Sequence, residues 1–233
     1  MATVSDEILA LKTQAKNRRD LRRYPRAVEI LERAIEIAKG NFANAELRSR
    51  MAEELADCYG LLGGVERRWA LESDGEEREE HLRKSIQAYD AAWKYESGDY
   101  GVVNSYGMVN RLVSRLLLKP DSLFVDGVSE FGKDVEPLSL REELEQARRR
   151  IEAQLARPRR DDYWAAADLA LVNLLLEKQD PASAYAGFIQ KSPPDYAFKS
   201  VLDVLRSFAN LQWKLAKTFA EVIVYLEQRA PTS

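Results

Sequence analysis

The chain has 233 residues, 45% of them apolar and 31% charged, a balance that suits a buried core and excludes disorder. Its formal net charge of -3 supplies no global field toward nucleic acid or membrane. One cysteine, Cys58, and one histidine, His81, exclude an internal disulfide framework, a cysteine-based zinc site and multi-histidine metal sites.

Helical periodicity begins at once. Ile8, Leu11 and Ala15 recur at spacings of three and four, which places them on one face, and Ser5, Asp6 and Glu7 ahead of them supply a cap and favourable charge. Tyr24-Pro25 breaks the run, and Pro25 fits the first turn of a second helix carrying Ala27, Val28, Leu31, Ala34, Ile35 and Ala38. Gly40-Asn41 reads as its end. The pattern predicts further helices over 43–62, 76–97, 100–118, 138–157, 161–178 and 181–191, with 195–228 helical throughout, as one helix or two.

Two stretches break the rhythm. Residues 63–75 read as a helix extension or a structured loop, and 119–137 is long for a loop inside a compact domain. The second stretch carries Leu123, Phe124, Val125, Val128 and Phe131, which either fold back on the body or form a lid over a partner site. The opening, MATVSDEILALK, lacks the apolar core of a signal peptide, and no run approaches the roughly 18 apolar residues of a membrane helix. A cytoplasmic protein is the expectation.

Paired helices call for a test of the small/large code at helix crossings, in which small residues let backbones approach and a large one fills the gap. Ala27, Leu31 and Ala34 fit it, as do Ser85, Tyr89 and Ala92. Ala147 with Ile151 and Ala184 with Phe188 fit in part, departing at Gln154 and Lys191. Among first helices, Leu55-Ala56-x2-Tyr59 and Trp164-x2-Ala167-Asp168-x2-Leu171 follow the companion pattern.

On these residues the chain resembles a divergent tetratricopeptide-repeat protein, its anchors spaced wider than the family period of about 34. GGVERRW (63–69), NSYGMVNRLVSRLLL (104–118) and DYWAAADLALVNLLL (162–176) are similar to bacterial helical-repeat domains of the TRAFs-binding type, over roughly 43–210. The resemblance implies an all-α fold: an α-α superhelix of TPR-like hairpins over about 5–40, 43–97, 100–157 and 161–191, with a capping helix at 195–228. One helical-repeat domain would then span 1–233. It also implies a signalling or scaffold role and brings no catalytic residues. The chaperone-tail clamp of the family needs Lys and Asn in the first unit and Asn in the second. The aligned residues are Lys12, Lys16 and Glu54, so that ligand is not expected.

Catalytic equipment is sparse. His81 sits in the charged run EEREEHLRKS and reads as a solvated surface residue, while Cys58 reads as a buried structural thiol. No phosphate-loop motif occurs, and Gly63-Gly64 lacks the strand-loop-helix setting such a loop needs. The apolar set of 100–118 is Val102, Val103, Tyr106, Val109, Leu112, Val113, Leu116 and Leu117. Asn104, Asn110, Arg111 and Arg115 interrupt it, with Gly107 as a bare patch. Asp168 and Asn173 interrupt 161–178. These seven residues are the candidate partner-binding set: Asn for peptide amides, Arg for carboxylates, or else an internal network such as Arg111 with Asp168. Arginines at 18, 19, 22, 23 and 26, and at 148–150, 157, 159 and 160, are interleaved with acids and read as solvated faces. The function expected is a non-enzymatic, cofactor-free adaptor binding a protein or peptide in a groove of first helices. A nucleic-acid-binding regulator is the alternative and a carboxylate-based enzyme the third reading. The wide stripe of 195–228 reads as core or as a homodimer surface.

Overall fold

The apolar spacings of three and four translate into helices along the chain. The computed structural model describes residues 3–96, 100, 104–124, 139–181 and 183–229, and among these no strand occurs. Two compact units divide the chain, Met1–Leu118 and Lys119–Ser233.

The first unit holds α1 (Val4–Asp20), α2 (Tyr24–Phe42), α3 (Arg48–Glu72), α4 (Gly75–Glu96) and α5 (Tyr106–Leu118). Helix α1 is capped two positions before Ser5: Thr3 Oγ1 accepts from the Asp6 amide at 3.2 Å, and Asp6 Oδ2 accepts from the Thr3 amide at 2.8 Å. Pro25 stands in the first turn of α2, as predicted. That helix does not stop at Gly40 but runs to Phe42, where Asn41 Nδ2 donates to the Ile37 carbonyl at 2.8 Å. Consecutive helices pack on each other, and the first helices touch in succession, α1 on α3 and α3 on α5. The small/large code lies at these crossings: Ala27, Leu31, Ala34, Ser85, Tyr89 and Ala92 are all fully buried. They join Ile8, Leu55, Cys58 and Val65 in burying the apolar surface that stabilises the unit.

Of the two readings for 63–75, helix α3 takes the extension. It continues to Glu72 through Gly60, Gly63 and Gly64. A Cβ placed on Gly63 would lie 2.9 Å from three ring atoms of Tyr89, and one on Gly60 would lie 3.1 Å from the Tyr106 ring. Each glycine costs the helix about 1 kcal/mol against alanine, and burying a tyrosine ring in the vacated space offsets that cost.

The second unit holds a 3-10 turn (Pro120–Leu123), α6 (Leu140–Ala156), α7 (Tyr163–Leu175), α8 (Ala186–Gln190), α9 (Asp195–Ala209) and α10 (Ala216–Glu227). Ser139 and Glu142 form a capping box on α6, and Asp162 caps α7 by accepting from the amides of Trp164 and Ala165. Helix α6 packs on α7, α7 on the short α8, and α9 on α10. Within the first unit α5 packs on α4. The segment read as a capping helix is a hairpin of two, with Phe208, Trp213 and Phe219 stacked between them at centroid distances of 4.9–5.7 Å. In the expected lid, Leu123 is buried and Phe124 lies 6.4 Å from the Trp213 ring. Val125, Val128 and Phe131 lie outside the described residues, as do Val102 and Val103.

Candidate functional site

The polar residues singled out on the first helices have specific neighbours. Asn104 Oδ1 accepts from the amides of Ser105 and Tyr106, at 2.8 and 3.1 Å, and so caps α5. Gly107 does not offer a bare patch to a ligand. Its amide donates to Glu96 Oε2 at 2.8 Å, and an added Cβ would lie 2.9 Å from the Trp93 backbone nitrogen, so the missing side chain serves the α4–α5 crossing. Asn110 is buried. Its Nδ2 donates to the Tyr106 carbonyl at 2.9 Å, and its Oδ1 accepts from Arg67 Nη1 at 2.5 Å.

Arg111 reaches back to α4, donating from Nη1 to Asp90 Oδ1 at 3.0 Å, with its side chain half-buried. Arg115 is half-buried one turn further along. The two arginines therefore share a face of α5 with the Arg67–Asn110 pair beside it, while the Arg67 guanidinium also lies 5.6 Å from the centre of the Tyr89 ring. On α7 of the second unit, Asp168 is half-buried and Asn173 is buried. Burial, followed by the charge of Asp168, pushes the Tyr185 hydroxyl far above its ordinary pKa.

The clamp positions Lys12 and Glu54 are occupied internally. Lys12 is buried with its Nζ 2.6 Å from Glu54 Oε2 and 3.1 Å from Asp57 Oδ2, and Arg50 Nε stands 3.3 Å from the other Glu54 oxygen. Lys12 and Glu54 here hold α1 to α3, while Lys16 is exposed.

His81 is not solvated. It is buried on α4, its Nδ1 lies 2.6 Å from Glu66 Oε2, and its ring stacks on Trp69 at 3.8 Å. The physical reason is register: His81 stands one turn before Ser85, on the same inward face as Ser85, Tyr89 and Ala92. That spacing was the signal for its burial, outweighed by the charged neighbours at 76–80. Cys58 is buried, and desolvation pushes its thiol up to about 12. Several arginines of the two clusters are paired, Arg26 with Glu29 and Arg148 with Glu152 toward solvent, while Arg159 is part-buried against Asp162 and Gln154.

Among the described residues, no three His, Cys, Asp or Glu side chains converge to hold a metal ion, and no helix is long and apolar enough to cross a membrane. Successive hairpins with small residues at their crossings define a helical-repeat protein of the tetratricopeptide type. Residues 3–113 match the model of the family described as Tetratricopeptide Repeats-Sensor, a span that takes in α1 to α4 and the first part of α5. No curated protein and no solved structure matches the chain. Repeats of this type generally mediate protein–protein interaction, and the family is typically without enzymatic activity.

Proposed function

We propose that the chain is a non-enzymatic adaptor or scaffold that docks a protein or peptide partner on the first helices of its N-terminal unit. Arg111 and Arg115 make the contact, and the Arg67–Asn110 pair stiffens the surface beneath. The observation that supports this most is the ordering of Arg111 by Asp90 at 3.0 Å. A guanidinium already held in place loses little side-chain freedom when a partner carboxylate binds it, which lowers the cost of association. Asp168 and Asn173 are the corresponding candidates on α7, and Asn104, Gly107 and Asn110 act behind the surface by fixing α5. One helical-repeat domain, a reducing cytoplasmic setting and a homodimer through α10, where Val224 is 54% exposed, belong to the same reading. The word Sensor in the family description favours a signalling role.

The test is affinity recovery from the native host with wild type beside Arg111→Glu. Arg206→Glu, which alters an exposed residue of α9, serves as the control. One protein recovered in near-stoichiometric amount, lost in Arg111→Glu and kept in the control, supports the reading. Equal recovery by both variants refutes the assignment to α5, and nuclease-sensitive recovery moves the reading to nucleic acid.

A further inference from the structure

Helices α2, α3 and α4 line a cleft of about 350 Å³, within the range of small-molecule sites. Its apolar wall is Val28, Leu62 and Ala88, with Tyr59 at one side, and its polar groups are Glu32, Glu66, Lys84 and Gln87. Glu66 is the anomaly. It is only 5% exposed, yet it lines the cleft, and just one of its oxygens is engaged, Oε2 with His81 Nδ1 at 2.6 Å. The second oxygen has no hydrogen-bond partner among the described residues. That oxygen keeps contact with solvent through the cleft, so a ligand entering the cleft can reach it.

The nearby cations do not fill the role. Lys84 Nζ is held by Glu80 Oε1 at 2.5 Å, one turn earlier on α4. His81 gives one nitrogen to Glu66, and its other lies 3.9 Å from Glu77 Oε1. The cleft therefore has a carboxylate at its base, a second at its exposed rim in Glu32, and an apolar wall between them.

We propose that this cleft binds an organic cation: an ammonium or guanidinium on a short aliphatic chain. The charge rests on Glu66, the chain lies against Val28, Leu62 and Ala88, and Glu32 steers the cation at the mouth. Such a group is carried by free alkylamines and alkylguanidines and by lysine or arginine side chains. The site is independent of the docking face on α5.

His81 is the single histidine in the chain, so one set of ring signals reports on Glu66 without assignment. Protein labelled with 13C-histidine is titrated with n-butylguanidinium chloride, beside n-butanol and sodium butyrate at matched ionic strength. The expected result is a saturable shift of the His81 ring signals with butylguanidinium alone. Glu66→Gln should weaken the affinity at least about tenfold, the size of a lost charge-assisted contact. Glu32→Lys, on the exposed rim, tests the site without touching the buried pair and should weaken binding about threefold or more. It keeps the proposal testable where Glu66→Gln fails to fold. A capped Gly-Gly-Arg-Gly-Gly peptide decides the source: binding as tight as the free cation assigns the site to a partner's side chain, and absent binding to a small molecule. Equal shifts with butanol, no saturable shift with butylguanidinium, or unchanged affinity in folded variants would overturn the proposal. Arg111→Glu should leave this titration unchanged, so its outcome is separable from that of the docking test.

Discussion

Alanine in place of Gly63 should reverse the sign that helix propensity assigns to the exchange. In an unobstructed helix interior, glycine to alanine stabilises by up to about 1 kcal/mol. At Gly63 the new methyl would sit 2.9 Å from three atoms of the Tyr89 ring, where carbon contacts settle at about 3.5–4.0 Å. The ring would have to retreat by roughly 0.6–1 Å. Tyr89 is fully buried and stands edge-on to Tyr106 at 5.8 Å, so retreat disturbs the α4–α5 crossing as well. Overpacking of this kind costs about 2–3 kcal/mol, which leaves a net loss of about 1–2 kcal/mol. Gly40→Ala is the matched control, because nothing lies within 4 Å of its added Cβ, and it should be neutral or stabilising. Residue-level amide exchange in α3 and α4 reads the stability of this unit without interference from the second. Faster exchange in Gly63→Ala together with unchanged or slower exchange in Gly40→Ala is the expected pair. If both variants gain protection, Tyr89 does not fill the space and the account of the α3 glycines fails.

Lys12→Met should cost about 3 kcal/mol in urea denaturation by stranding buried Glu54, and Lys12→Met with Glu54→Leu should recover most of it. Burial alone would lower the Lys12 pKa, but hydrogen bonds and charge from Glu54 and Asp57 outweigh it and hold the group above its ordinary 10.5. Its folded pKa being raised, the pair's contribution is complete below 10.5 and disappears as pH climbs through the folded value; the wild type should lose more stability there than the double variant. The Cys58 thiol, raised by burial from 9.0 to about 12, favours the neutral form in the fold, so its contribution is present below 9.0 and lost on approach to about 12. At about pH 8, reaction with Ellman's reagent should accordingly track unfolding in urea; prompt reaction of folded protein would contradict the burial. Asp162→Ala should cost about 1–2 kcal/mol and loosen the first turn of α7, with Asp162→Asn retaining most of the cap, as thermal melts would show.

The helices were legible because local chemistry dictates them: Pro25 at the start of α2, apolar residues at spacings of three and four, and small residues at the crossings of α2 and α4. Where the reading went astray or left two courses open, a tertiary partner decided. Residues 63–75 left extension and loop both open, and Tyr89 and Tyr106, filling the space above Gly60, Gly63 and Gly64, carry the helix on to Glu72. Gly107 looks like a bare surface until Glu96 is seen to hold its amide. Among the candidate site residues, Arg111 and Arg115 came out on one partly exposed face, which follows from their spacing of four. Asn104 and Asn110 are taken up by backbone and Arg67, partners that no spacing along the chain reveals. His81 was hidden by the charged run at 76–80, most of it exposed, and with it went the signal of Glu66 and the cleft.

The three glycines of α3 bear on how the N-terminal unit folds. Together they weaken the middle of a 25-residue helix by about 3 kcal/mol against alanine, enough to keep its second half from persisting alone. That half becomes favourable only when Tyr89 of α4 and Tyr106 of α5 arrive, so three helices from consecutive hairpins must order in one step. In an ordinary solenoid each hairpin carries its own stability and adds its neighbours piecemeal. Here the glycines move that stability out of the individual repeat and into the crossing, and the unit should unfold as a block instead of fraying repeat by repeat.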